Sequence, residues 1–259
     1  MTGVLDGKTA LIVGVANKRS IAWAIASQLA AAGARCALTF QNERVEADVR
    51  KLAETLPNPG PVLALDVQDE AQLDAAVDGA AAGLGGLDIL VHAVAFARTD
   101  DLGGRFVDTD KAGFELALDI SAFSLAQLAR RAEPHMKARG GGSVMALSYI
   151  AAERAVPGYN VMGVAKSALE SIVRYLAWDL GESAIRVNAI SAGPVRTLAA
   201  RSIPGFMDMA DKAAECSPLR RAITVDEVAG AALFLASPLS SGVTGHVLYV
   251  DAGYHAIGL

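Results

Sequence analysis

Short apolar runs that do not alternate with polar residues constrain the fold of this chain most. Ala10-Leu11-Ile12-Val13 is the first of them. A strand with one wet face alternates apolar and polar residues, so a strand apolar at every position has to be covered on both faces. Runs that read as strands cover 8–15, 35–40, 61–65, 87–93, 143–148, 185–190 and 246–250. Helical stretches lie between them. Alanine-rich 20–32 is ended by Gly33, and 43–56 precedes a Pro57-Asn58-Pro59-Gly60 turn. Further helices are expected at 69–82, 110–139, 158–180 and 225–236, with Pro134 expected to kink or break the second of these.

Strand and helix alternating with short connections predict a parallel sheet. The expected class is α/β: a single doubly wound parallel sheet of about seven strands with helices on both faces, Rossmann-like, in one domain over 1–259. With 259 residues, 53% of them hydrophobic and only 5% aromatic, the chain can bury a large aliphatic core. A net charge of −5 argues against general nucleic-acid binding, which needs a basic face. No signal-peptide core is visible near the N-terminus, and no apolar run approaches the roughly 20 residues that span a bilayer, so a cytoplasmic protein without membrane association is expected. The two cysteines, Cys36 and Cys216, fit neither a metal motif nor a disulfide framework and read as buried or inert thiols. His92, His135, His246 and His255 have no ligand spacing, so no metal is expected, and His92 reads as a satisfied structural residue.

Ligands of such sheets bind beyond the carboxyl ends of the strands. The first strand runs into Gly14-Val15-Ala16-Asn17-Lys18-Arg19-Ser20-Ile21. Gly14 permits close backbone approach, Ser20 can cap the next helix, and that helix N-terminus favours a pyrophosphate. A plain strand-to-helix turn fits the same residues. After the second strand, Gln41 is neutral and can hydrogen-bond a ribose hydroxyl. No arginine cluster stands ready for a 2′-phosphate, which favours NADH over NADPH, with Arg44 keeping the alternative open. Asp66 and Val67, after the third strand, can flank an adenine; Asp66 can equally cap a helix.

Tyr159 and Lys166 lie seven residues apart in an expected helix. Seven steps of about 100° return to within about 20°, so both side chains share one face about 10.5 Å apart. Lys166 leans back toward the Tyr159 turn, and a ligand along that face can meet both. A helix-opening tyrosine and a solvated lysine would show the same spacing.

Several motifs then converge. They are Gly14 with Ser20-Ile21, Gln41-Asn42, Asp66-Val67, His92-Ala93-Val94-Ala95-Phe96-Ala97, Leu147-Ser148-Tyr149, Ala152-Glu153-Arg154-Ala155, Tyr159-Asn160-Val161-Met162-Gly163-Val164-Ala165-Lys166, and Arg186-Val187-Asn188-Ala189-Ile190-Ser191-Ala192-Gly193-Pro194-Val195-Arg196-Thr197. Over essentially its full length the chain resembles the short-chain dehydrogenase/reductase superfamily, and within it the divergent bacterial enoyl-acyl-carrier-protein reductases of the FabI type. In the superfamily's common pattern a tyrosine stands four residues before the lysine. Here that position holds Met162, and Tyr149 falls near the usual serine position. The displaced pair Tyr149 and Tyr159 is what the enoyl reductases show.

The resemblance implies NADH-dependent reduction of the trans-2 double bond of an enoyl thioester carried on acyl carrier protein, in fatty-acid elongation. It implies that Tyr149, Tyr159 and Lys166 are catalytic, with Tyr159 donating a hydrogen bond to the developing enolate and Lys166 on the nicotinamide ribose. Gly14, Ser20, Ile21, Gln41, Asp66, Val67, Val94, Val195, Arg196, Thr197, Leu198 and Ala199 are the implied NAD contacts. Ala97, Met162, Phe206 and both tyrosines would meet the substrate. Residues 195–215 are expected to form a mobile lid with a break at Pro204-Gly205. A homotetramer is implied, with the apolar stretch 247–259 at an interface or, alternatively, packed within its own subunit. Ala95 departs from the glycine of many relatives. The stretch 204–211 carries Asp208 and Asp211 and no cation, so docking of an acidic carrier falls to Arg201, Lys212, Arg220 or Arg221. Two other readings compete: a carbonyl reductase, disfavoured by Met162, and a non-catalytic NAD-binding sensor or scaffold, disfavoured by the intact Tyr149, Tyr159 and Lys166.

Overall fold

The apolar runs form one sheet of seven parallel strands in the order β3-β2-β1-β4-β5-β6-β7 in a computed structural model that describes residues 3–195, 197 and 206–258, the side chains of 206–208 excepted. The strands are β1 (Thr9–Val13), β2 (Arg35–Phe40), β3 (Pro59–Ala64), β4 (Ile89–His92), β5 (Gly142–Ser148), β6 (Ile185–Ala192) and β7 (Val247–Val250). The helices are α1 (Ile21–Ala31), α2 (Glu43–Glu54), α3 (Glu70–Leu84), α4 (Thr99–Leu102), α5 (Lys111–Leu118), α6 (Ser124–Ala138), α7 (Asn160–Leu180), α8 (Phe206–Cys216) and α9 (Val225–Ala236).

Burial on both faces explains the unbroken apolar strands. Along β1, Ala10 and Ile12 enter one core with α1, α2 and α9. Leu11 and Val13 enter the opposite core with α3, α6 and α7. Successive side chains of a strand point to opposite faces, so two covered faces require an apolar residue at every position. The expected α/β class and doubly wound sheet are therefore present.

Several boundaries differ from the expected ones. Strand β3 begins at Pro59, paired with Cys36 across a register shift, and not beyond the proline turn. It lies at the sheet edge, where a missing backbone N–H is tolerated. Pro134 sits inside α6 without ending it. Arg130, whose carbonyl loses its helical partner there, is exposed, so water can replace the bond. The irregularity lies earlier, in a π turn at Asp119–Phe123 between α5 and α6. The continuous helix Lys111–Ala138 is the one among the described residues long and apolar enough to cross a membrane, which the reading of apolar runs did not anticipate. Half of its apolar window is buried, with Leu125, Leu128, Ala132 and Met136 in the sheet core, as in a core helix.

At the C-terminal end, β7 pairs with β6, so this part of the stretch packs within its own subunit. Cys36 is buried as expected, whereas Cys216 is exposed.

Candidate active site

Strand order reverses between β1 and β4, which opens a crevice at their carboxyl ends. Gly14, at the end of β1, has φ of +102°, and a Cβ there would lie 2.3 Å from the Ala93 carbonyl oxygen. The close approach that demands glycine is thus to the chain leaving β4, beside Val94. Ser20 caps α1, accepting a 3.2 Å hydrogen bond from the Trp23 N–H. The first amides of a helix lack intrahelical partners, and α1 begins just beyond the carboxyl end of β1, a donor set that fits an anionic pyrophosphate.

Farther along the same edge, Gln41 is exposed at the end of β2 and Asn42 caps α2. Half-buried Asp66 accepts from the Gln68 N–H at 3.1 Å, while Asp69 caps α3. The helix-cap alternative for Asp66 therefore falls to Asp69.

A cavity of about 480 Å³ continues from the crevice. Its lining includes Ile21, Ala95, Ala97, Tyr149, Tyr159, Met162, Lys166, Val195 and Thr197. Gly14, Ser20, Gln41, Asp66, Val67 and Val94 are not among the residues lining it and follow the strand ends outside. Arg196, Leu198 and Ala199 lie outside the described residues, as do the side chain of Phe206 and the Pro204-Gly205 break.

Tyr159 stands at the start of the helix that carries Lys166, and both side chains line the cavity. Helix α7 starts at Asn160, two residues later than expected, and Tyr159 is its N-cap, with φ of −117° and ψ of −17°, after Pro157 and a Gly158 with φ of +78°. Its ring meets Tyr149 edge-on, with centroids 5.0 Å apart. Burial, then the neighbouring Tyr149, pushes the Tyr159 phenol well above its ordinary pKa. Burial, then Tyr254, pushes Tyr149 up to about 12. Both hydroxyls remain protonated donors at neutral pH.

Lys166 projects from α7 into the buried wall, where its Nζ donates to the Leu147 carbonyl at 2.7 Å. An ammonium has three donors, so two remain for a ligand. Burial pulls its pKa down to about 8, against the opposing pull of Glu170. Glu170 lies one turn along, buried, and accepts a short hydrogen bond from the Ser148 hydroxyl. Burial raises the Glu170 carboxyl, partly offset by that hydrogen bond.

Other residues around the cavity were not legible in the sequence. Ser121, in the π turn, accepts from the Phe96 N–H at 2.9 Å and donates to the Phe96 carbonyl at 3.1 Å, clamping the chain beside Ala97. Met209 of α8 lies 3.5 Å from the Tyr149 hydroxyl through its sulfur. His92 is only half satisfied. Its Nε2 lies 2.7 Å from the Ser124 hydroxyl, which donates to the Ile120 carbonyl, and its Nδ1 has no partner among the described residues. Burial and the Lys166 charge pull its pKa down to about 3, so the ring stays neutral. No cluster of His, Cys, Asp or Glu able to hold a metal occurs among the described residues.

Comparison with known proteins agrees with this geometry. Residues 14–255 match the family described as Enoyl-(Acyl carrier protein) reductase. The chain is 52% identical to the NADH-dependent enoyl-acyl-carrier-protein reductase FabI of Nostoc sp., over 98% of this chain and 99% of that protein. It is 48% identical to the corresponding FabI of Bacillus cereus, over 98% and 99%. The crystal structure of the Anaplasma phagocytophilum reductase in complex with NAD superposes with a TM-score of 0.95 at 47% identity, covering 100% of this chain and 98% of that one. The Bacillus cereus reductase with NADP+ and indole naphthyridinone superposes with a TM-score of 0.96 at 48% identity, each chain fully covered. Matched from end to end in sequence and in backbone, this chain belongs to the enoyl-acyl-carrier-protein reductase family.

Proposed function

We propose that the chain reduces the trans-2 double bond of enoyl thioesters on acyl carrier protein, using NADH, as a step of fatty-acid elongation. The observation that carries this reading is the convergence of Tyr149, Tyr159 and Lys166 on one cavity, with Met162 where a carbonyl reductase needs its tyrosine. Bound NADH supplies the hydride taken up by the substrate β-carbon. As that happens, negative charge develops on the thioester oxygen. Tyr159, protonated in its buried setting, donates a hydrogen bond to this oxygen, an electrostatic contribution of the oxyanion-hole kind. The Leu147 carbonyl aims Lys166, whose two remaining N–H groups fit ribose hydroxyls. Proton uptake at the α-carbon completes the reduction.

The neutral carboxyl end of β2, with exposed Gln41 and with Asn42 engaged as a cap, supports NADH over NADPH. The cofactor contacts proposed are Gly14, Ser20, Ile21, Gln41, Asp66, Val67, Val94, Lys166 and 195–199. Ala97, Met162, Phe206 and the two tyrosines are the proposed substrate contacts. We also propose that 195–215 covers the acyl chain as a lid on this single domain; the Met209–Tyr149 contact supports this for α8. Arg221 is engaged by Glu227, which leaves exposed Lys212 and Arg220 as the described cations near α8 for carrier docking. A cytoplasmic homotetramer completes the proposal, and light scattering of the purified protein tests its assembly.

The deciding experiment follows NADH absorbance with crotonyl and trans-2-octenoyl thioesters for the wild type and Tyr159→Phe. Oxidation weakened at least tenfold by the variant is the expected result. NADH binding without turnover would refute the reading and favour the sensor, and turnover of carbonyl substrates alone would favour the carbonyl reductase.

A further inference from the structure

One wall of the cavity is held by side chains that have no part in the chemistry above. Thr99 and Leu102, from the short helix α4, line the cavity together with Tyr149 and Met162. Leu102 is 5% exposed, so its side chain is committed to the interior. The chain then runs through Gly103 and Gly104, the latter with φ of +69°. A Cβ at either glycine would touch nothing within 4 Å, so packing does not hold this backbone. Glycine pairs are the most freely moving backbone available. Left to itself, the segment behind Leu102 would be loose.

Two fastenings oppose this. On the near side, Arg98 grips Asp101 through Nε at 2.6 Å and Nη2 at 3.0 Å, and reaches Asp110 at 2.8 Å. Asp110 also caps α5 through the Gly113 N–H. On the far side, Asn160 Nδ2 donates to the Gly103 carbonyl at 2.8 Å and to the Gly104 carbonyl at 3.3 Å. Both partners are acceptors, which sets the orientation of the amide. Asn160 has φ of +22°, outside the ordinary helical range, and asparagine is among the few side chains that tolerate positive φ. It directly follows Tyr159.

We propose that Asn160 is a positioning residue that determines how well the enzyme accepts long acyl chains. Its amide ties the Leu102 wall to the residue next to the reacting tyrosine, so the wall is already ordered when a substrate arrives. A short enoyl group engages the tyrosine end alone. A longer chain continues to the wall and has to order it on binding if the latch is missing, which weakens binding. The proposal rests on the reading of the cavity as an enoyl thioester site.

The test compares kcat and KM for crotonyl and trans-2-octenoyl thioesters in the wild type, Asn160→Ala and Asn160→Asp. Loss of two hydrogen bonds should lower kcat/KM for octenoyl by about tenfold, chiefly through KM, and leave crotonyl within about twofold. Asn160→Asp is the sharper variant. It keeps the size and tolerance of positive φ but presents only acceptors to the two carbonyls, so it should behave like Asn160→Ala. An even loss on both substrates, or an Asn160→Asp variant that matches the wild type, overturns the proposal. If neither variant folds with a wild-type melting temperature, Arg98→Gln loosens the same wall from its other side. It must then give the same long-chain-selective loss, and an even loss or none overturns the idea. A wild type that reduces neither thioester refutes the enoyl reductase reading itself.

Discussion

Replacing Lys166 with methionine should move cofactor affinity and protein stability in opposite directions. The lysine is 4% exposed and donates a hydrogen bond to the Leu147 carbonyl. Its pKa falls from 10.5 to about 8, chiefly through burial. At about 1.36 kcal/mol per unit, this fall corresponds to roughly 3 kcal/mol by which the buried charge disfavours the folded state. Methionine matches the stem in length and carries no charge, so little packing is lost. Because Glu170 loses a favourable neighbour, the expected net stabilisation of the NADH-free protein is about 1–3 kcal/mol, read as a higher urea midpoint. NADH affinity should fall by about a hundredfold or more, since two charge-assisted hydrogen bonds are removed, as measured by fluorescence titration. The sign with pH follows from the depressed pKa. Below about 8 the lysine is charged in both states and the penalty is fully present. Between about 8 and 10.5 the unfolded chain holds more protons, so wild-type stability gains with rising pH, and the variant lacks that gain. A variant that is less stable than the wild type yet binds NADH equally well would show the lysine to be a structural tie to β5 and refute the reasoning.

Two further outcomes follow from groups remote from the cavity. Asp88 is buried beneath the sheet and accepts from Lys8, the Thr9 N–H and hydroxyl, and Arg139. Burial alone would raise its pKa, but the hydrogen bonds from Arg139, Lys8 and Thr9 outweigh burial and hold it below 3.8. Asp88→Asn should cost about 2–4 kcal/mol at pH 7 in urea unfolding. The difference should shrink as pH falls through the depressed native pKa, because the wild type then loses the carboxylate too; equal midpoints at pH 7 would contradict this. A thiol-reactive dye should label Cys216 rapidly in the native protein and Cys36 only on unfolding, since burial pushes the Cys36 thiol up to about 12. Two fast thiols would contradict the burial of Cys36.

Elements whose signals are local were legible in the sequence, and those that depend on sheet register were not. Helix α9 came out with its expected bounds because Thr224 and Glu227 form a capping box immediately before an apolar run. Strand β2 did so because Gly33, which ends the preceding helix, and the polar residues after Phe40 bound an apolar stretch. The start of α7 was placed two residues early because helical periodicity carries no mark of the turn at Pro157-Gly158, which leaves Tyr159 as the N-cap. Its partnership with Tyr149 depends on where β5 ends relative to α7. Ser121 on Phe96, Ser148 on Glu170 and Asp88 on Thr9 join residues 25, 22 and 79 positions apart, which no local pattern reports. The carboxyl edge of the sheet was legible in outline because strand ends and helix caps are local features.

The π turn at Asp119–Phe123 also sets a length rule for the chain. A turn with i→i+5 bonding holds one residue more than an α turn. That surplus residue lets Ser121 reach the Phe96 backbone while Ser124, three positions on, reaches His92 on the neighbouring strand. Deleting one residue here would restore a regular helix and turn everything on one side of the cut by about 100°. One of the two serines would then face away from its partner. The segment should therefore accept many substitutions at its exposed Phe123 yet reject single-residue insertions and deletions, which makes spacing, more than composition, the quantity it protects.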